Sequence, residues 1–155
     1  MIRPARPDDL DDIADLIRAL AEYERLSDAV SLDPATLRTH LFGDRPYAEV
    51  LIAEDAGATV GFALFFHNFS TFLGKPGIYL EDLFVKPEHR GRGHGRALLA
   101  RLAGVAVERG CGRLEWSVLD WNEPSIAFYR VLGAEPVDGW TVYRISGEAL
   151  DDLAT

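Results

Sequence analysis

The stretch Arg90-Gly91-Arg92-Gly93-His94-Gly95-Arg96 alternates glycine with basic residues, a pattern suited to holding a polyanion. Glycines let successive backbone N–H groups converge on a point that side chains would otherwise block. A helix opening at such a turn adds partial positive charge, and Arg90, Arg92 and Arg96 add fixed charge around it. The chemistry this fits is a pyrophosphate cradle. The dinucleotide fingerprint does not fit, because Arg96 (from Gly91) or Leu98 (from Gly93) stands where it needs a small residue. The phosphate loop ending in Gly-Lys-Ser/Thr is also missing. A plain flexible strand-to-helix turn is the competing reading.

Glu81 and Asp82 are adjacent acids inside an otherwise apolar run. Burying them is costly unless something uses or satisfies them. Neighbours on a regular strand face opposite sides, so one site can take both only if a bulge re-aims one. Either acid could equally be structural. Tyr129 carries a phenol able to give up a proton, but it also fits a core aromatic in a pattern with Ile126 and Val131. Tyr23, Glu24 and Trp140 are of types that suit a cationic chain, and each also fits an ordinary helix or strand position. Cys111 reads as a small buried apolar residue and not a nucleophile. His40, His67, His89 and His94 show no ligand spacing, so no metal is expected.

These residues need elements to position them. Ile13, Leu16, Ile17 and Leu20 recur at helical spacing and predict an amphipathic helix over about 8–25. A second helix runs from Asp33-Pro34 to Phe42 and stops at Gly43. Residues 48–54 and 59–67 read as strands joined by Asp55-Ala56-Gly57-Ala58, a hairpin. A polar, Gly-containing loop is expected at 68–77, and a strand at 78–85. After the glycine turn, a helix over about 94–109 should bury Leu98, Leu99, Leu102, Ala106 and Val107 and end at Gly110. A strand at 113–119, a helix from Glu123-Pro124 to Gly133, a strand at 140–145 and a short helix near Glu148 complete the pattern. The order predicts an α/β chain with a mixed sheet and helices on both faces. No linker or repeat interrupts it, so residues 1–155 read as a single domain.

The composition, 48% apolar and 26% charged, is that of a globular protein. The one cysteine permits no intrachain disulfide and fits a reducing compartment. No run resembles a signal peptide or a membrane span, so a cytoplasmic protein without membrane partners is expected. A net charge of −9 disfavours nucleic acid and favours small cations, although acidity commonly serves solubility alone.

Arg90-x-x-Gly93-x-Gly95, after a strand and before a long helix, resembles the acetyl-CoA motif of the GNAT acetyltransferases. Tyr79-Leu80-Glu81-Asp82-Leu83-Phe84-Val85 is similar to the diamine branch, which holds spermidine/spermine and thialysine N-acetyltransferases. So are Trp121-Asn122-Glu123-Pro124-Ser125-Ile126-x-Phe128-Tyr129 with Gly133-Ala134, the late Gly139-Trp140, Ile2-Arg3-Pro4-Ala5, and Leu20-Ala21-x-Tyr23-Glu24. The likeness spans nearly the whole chain. It implies the GNAT fold, a mostly antiparallel sheet splayed between the strands near 79–85 and 113–119. Pantetheine would lie in that gap, paired with backbone of the Leu83-Phe84-Val85 segment. The diphosphate would rest on residues 90–96: Arg90, Gly91, Arg92, Gly93, His94, Gly95 and Arg96. Asn122 would contact the pantetheine arm, within the helix-opening motif that includes Ser125. Tyr129 would lie near the thioester sulfur. Branch members are homodimers, so a homodimer is expected.

A small alkyl amine has a pKa near 10, so it must lose a proton before it attacks a thioester. Glu81 is the expected acceptor, through water, with Asp82 holding the substrate or capping backbone. Tyr129 is the expected acid for the leaving thiolate. Tyr23, Glu24, Glu81, Asp82 and Trp140 form the expected amine pocket. Residues 68–75 lack the Asp-x-Trp of the spermidine/spermine enzymes and look closer to the Ser-Thr-aromatic form of thialysine-type members. That favours a shorter amine. Acetylation of a protein amine and non-catalytic acyl-CoA binding are the competing readings.

Overall fold

A short strand, β1 (Ile2–Pro4), leads into helices α1 (Leu10–Tyr23) and α2 (Pro34–Phe42). A meander follows, with β2 (Glu49–Asp55), β3 (Ala58–Ser70) and β4 (Lys75–Val85). Then come α3 (His94–Glu108), β5 (Leu114–Trp116), α4 (Glu123–Val131) and α5 (Glu148–Leu153). This computed structural model describes every residue from Met1 to Thr155. The chain separates into two compact units, Met1–Ser117 and Val118–Thr155.

In the first unit the strands lie in the order β1-β2-β3-β4-β5. All neighbours are antiparallel except β4 and β5, which run parallel. The sheet is therefore mixed, as the element order predicted. The β2–β3 hairpin turns through Ala56 (φ 50°) and Gly57 (φ 79°). Two left-handed residues in succession match the twist of the flanking strands, which is the geometry of a type I′ turn.

α1 buries Leu10, Ile13, Ala14, Leu16 and Leu20 along one stripe. Ile13, Leu16 and Leu20 pack with Leu41, Val50, Ile52, Phe62, Leu64 and Phe84 into one core. Full burial of such side chains contributes about 1.5–3 kcal/mol each. Leu51 and Ala53 alternate with Val50 and Ile52 and are also buried, so the sheet is covered on both faces. α3 packs on β1–β4 and buries Leu98, Leu99, Leu102, Val105 and Ala106. α2 begins as its sequence predicts: Asp33 accepts a hydrogen bond from the Thr36 amide, with Pro34 in the first turn.

Arg3 ties three segments together. Its guanidinium grips both Asp9 carboxylate oxygens at 2.8 Å, and its Nε donates to Glu54 at 2.7 Å. The start of α1 is thereby fixed to β1 and to the end of β2.

Four expectations are corrected. The loop at 68–77 contracts to residues 71–74, because β3 and β4 stay paired out to Ser70↔Lys75. Val107 is 80% exposed and Val105 takes the buried place, since two residues of helix rotate a side chain to the far side. β5 stops at Trp116 instead of Leu119, at the last pair it makes with β4. No strand forms over residues 140–145, where Trp140, Val142 and Tyr143 are exposed and no ladder is made.

In the second unit, Asn122 caps α4 by accepting from the Ser125 amide at 3.4 Å, with Pro124 in the first turn. Gly133 follows the helix with φ 89°, the usual left-handed stop.

Candidate active site

β4 pairs with β5 only from Ile78↔Leu114 to Leu80↔Trp116. Beyond Leu80 the strands part, which is the predicted splay. Residues 82–85 keep their pairing to β3 on one side and present an unpaired backbone edge on the other. Such an edge can accept an extended group that carries amides. Leu83 and Val85 are half-buried on it, while the Phe84 side chain belongs to the core.

The register explains the paired acids. Leu64 pairs with Asp82 and Phe65 with Leu80, so Glu81 is the extra residue of a bulge. Asp82 is half-buried and Glu81 exposed. Burial, with the charges of Glu81 and Glu24, pushes the Asp82 carboxyl up to about 7. Glu24 is also raised, by burial first and then by Glu81. The three acids therefore sense one another.

Glu24 is placed by the end of α1. Arg25 adopts φ 60°, and the amides of Arg25 and Leu26 donate back to Glu22 and Ala21, a Schellman turn. One residue earlier, Tyr23 meets the Arg90 guanidinium, which lies 5.0 Å from its ring centre and 5.2 Å from that of Phe84. Arg90 Nε also donates to the Val85 carbonyl at 2.8 Å. Arg90 thus braces the turn against α1 and β4.

The glycine turn follows directly. Gly91 (φ 76°) and Gly93 (φ 87°) are left-handed, and a Cβ at either would project into open space. The first helical bond of α3 runs from the Ala97 amide to the Gly93 carbonyl, and no side chain caps the helix. The amides of His94, Gly95 and Arg96 therefore point outward without a helical acceptor. Arg92 is drawn to Asp55 at 3.3 Å. His94 also faces Asp55, together with His89. This cluster links the glycine turn to the β2–β3 hairpin, and linear spacing gave no sign of it.

In the second unit, α4 carries Asn122 at its cap, 6% exposed, then Ser125 and Tyr129. The Tyr129 ring lies 5.6 Å from that of Phe128. Trp140 is 82% exposed in the irregular segment after α4. Among the pocket residues expected from sequence, Tyr23, Glu24, Glu81 and Asp82 gather in the first unit, beside the open β4 edge.

An open strand edge leading into a helix N-terminus is the layout of an acyl-carrier site, and comparison with known proteins agrees. The chain belongs to the acetyltransferase (GNAT) family, whose sequence model matches residues 11–134. It is an N-acetyltransferase with the mixed α/β GNAT fold. It is 42% identical to a thialysine N-epsilon-acetyltransferase of Bos taurus, covering 99% of this chain and 96% of that protein. It is 31% identical to an L-ornithine N5-acetyltransferase of Arabidopsis thaliana, covering 98% and 86%. An integron cassette protein from V.cholerae superposes with TM-score 0.82 at 27% identity, covering 99% of this chain and 96% of that one. GNAT acetyltransferases use acetyl-CoA as co-substrate. The uncapped amides, the left-handed glycines and the open β4 edge fit a diphosphate joined to an amide-bearing arm.

Proposed function

We propose that this enzyme transfers an acetyl group from acetyl-CoA to a primary amine of a small cationic substrate, by direct attack in a ternary complex. The substrate is a diamine, a polyamine or a lysine analogue such as thialysine. The observation that carries this reading is the group of Glu24, Glu81 and Asp82 beside the open β4 edge, with one carboxyl at about 7. Clustered acids attract an alkylammonium ion, and an acid titrating near neutrality can take its proton. The relatives named for thialysine and ornithine support a short substrate with a terminal amine.

Acetyl-CoA supplies the activated acyl group. The chain's own groups do the rest. Backbone amides at residues 93–96 hold the diphosphate, with Arg90, Arg92 and Arg96 adding charge around it, and the edge at residues 83–85 orients the arm. Asn122 and Ser125 fix the start of α4, which carries Tyr129. Glu24 and Glu81 hold the cation, with Tyr23 as its aromatic neighbour and Trp140 a further candidate from the sequence. The sequence argument favoured Glu81 as acceptor; the raised carboxyl shifts that role to Asp82, with Glu81 relaying through water. Tyr129 protonates the leaving thiolate.

Both units make one acetyltransferase domain in this reading, since the family match crosses their boundary at Ser117. The active form is a homodimer, a reading supported by the exposed Trp140, Val142 and Tyr143. The single cysteine supports a cytoplasmic location, and no helix is long and apolar enough to cross a membrane.

Thiol release from acetyl-CoA, measured with thialysine, lysine, ornithine, putrescine and spermidine, tests the proposal. Turnover with one or more short amines is expected. Silence with all of them, while a peptide amine reacts, would overturn it.

A further inference from the structure

We propose that Asp55, His89 and His94 form a binding site for a divalent transition-metal ion of the zinc class, bridging the β2–β3 hairpin and the glycine turn. Asp55 ends β2, His89 lies in the short helical turn Pro87–His89, and His94 is the first residue of α3. Asp55 Oδ2 stands 3.5 Å from His89 Nδ1 and 3.6 Å from His94 Nε2. All three ligand atoms lie within 4.8 Å of one another.

The donor set points to the class of ion, and the two spacings to Asp55 are compatible with it. Donors on a tetrahedral zinc, with bonds of about 2.0–2.1 Å, stand roughly 3.3–3.4 Å apart. Two imidazoles and one carboxylate are a zinc donor set, with a fourth position left for water.

A second observation points to a ligand. His89 Nδ1 and His94 Nε2 are sealed from solvent, and each meets Asp55 Oδ2 only at long range, 3.5 and 3.6 Å, with no closer partner. Their approach to Asp55 is at ion-pair range only, and buried ring nitrogens normally find a partner. Arg92 Nη1 lies 3.3 Å from the same Asp55 oxygen. Its side chain is 58% exposed, so it can swing into solvent when an ion takes that oxygen.

The two histidines flank Arg90-Gly91-Arg92-Gly93, so one ion would clamp both ends of the turn to the end of β2. Binding would release Arg92 from Asp55 into solvent. The metal site does not rest on the acetyl-transfer reading, and it is tested without either substrate.

Zinc-free protein is titrated with Zn2+ against a chromogenic chelator, and with Co2+ while visible absorption is recorded. One ion per chain, intense absorption of the four-coordinate Co2+ kind and a raised melting temperature are expected. H89Q and D55N should each weaken binding by about tenfold or more. C111S and H67Q should retain it. Circular dichroism confirms that each variant is folded, and H89Q decides if D55N is not. No zinc bound at micromolar concentration, unchanged affinity in H89Q, or loss of binding in C111S would overturn the assignment.

Discussion

At Asp82, burial and two neighbouring acids act in the same direction, so its proton leaves only at about pH 7. The unfolded chain releases that proton near 3.8. The native state therefore holds it more tightly, and stability falls as pH rises between those values and stays reduced above them. Asp82→Asn should raise stability at pH 8 by about 2 kcal/mol, allowing for partial solvent screening, as read from urea midpoints. The same change should abolish the rise of kcat/KM through about pH 7, if Asp82 takes the amine proton. Asp9 behaves in the opposite sense. The Arg3 hydrogen bond holds its carboxyl below the ordinary range, so its contribution is present above about pH 4 and lost as acid titrates it. Arg3→Met, which strands two carboxylates, should cost about 3–5 kcal/mol at neutral pH in the same melts. Tyr129→Phe should lower kcat about 100-fold while leaving acetyl-CoA affinity intact, measured by calorimetry beside steady-state rates. The residue types of this site were legible in the sequence, since two acids in an apolar strand are conspicuous. Their division of labour was not. It depends on a bulge at Glu81, which follows from the β3 register and has no local signature.

Elements were easier to read where the chain punctuates itself. Pro34 and Gly43 bracket α2, and Gly93 and Gly110 bracket α3, as their types require. Limits set by distant partners were harder. β3 runs on to Ser70 because β4 is there to pair with it, and β5 ends at its last pair with β4, Leu80↔Trp116. Residues 140–145 are rich in strand-forming types yet form no strand, because such types favour a sheet only where a neighbour pairs with them. The cluster of Asp55, His89 and His94 was invisible for a related reason: the hairpin that delivers Asp55 is remote in sequence. Within the glycine turn, Gly93 holds φ 87°, beside the amides proposed to hold the diphosphate. Gly93→Val should strain the turn by about 1–2 kcal/mol. It should raise KM for acetyl-CoA far more than KM for the amine, which initial-rate kinetics with each substrate varied will show.

For the molecule as a whole, the apolar side chains that remain outside are concentrated late in the chain. Trp140, Val142 and Tyr143 are 82%, 87% and 92% exposed. Their exposure fits the proposed homodimer. Sedimentation equilibrium should give twice the chain mass at micromolar concentration, and Trp140→Glu with Tyr143→Glu should return it to one chain.

The meander has a consequence for how the chain reaches this state. β2, β3 and β4 are joined through residues 56–57 and 71–74, so two short closures create most of the sheet. Short closures cost little entropy and form within microseconds. β1 must instead wait for Ala53 to meet Ile2 across the length of both helices. The first nucleus on the folding route is therefore the central hairpins, and the N-terminal strand, locked by Arg3, is a late fastening.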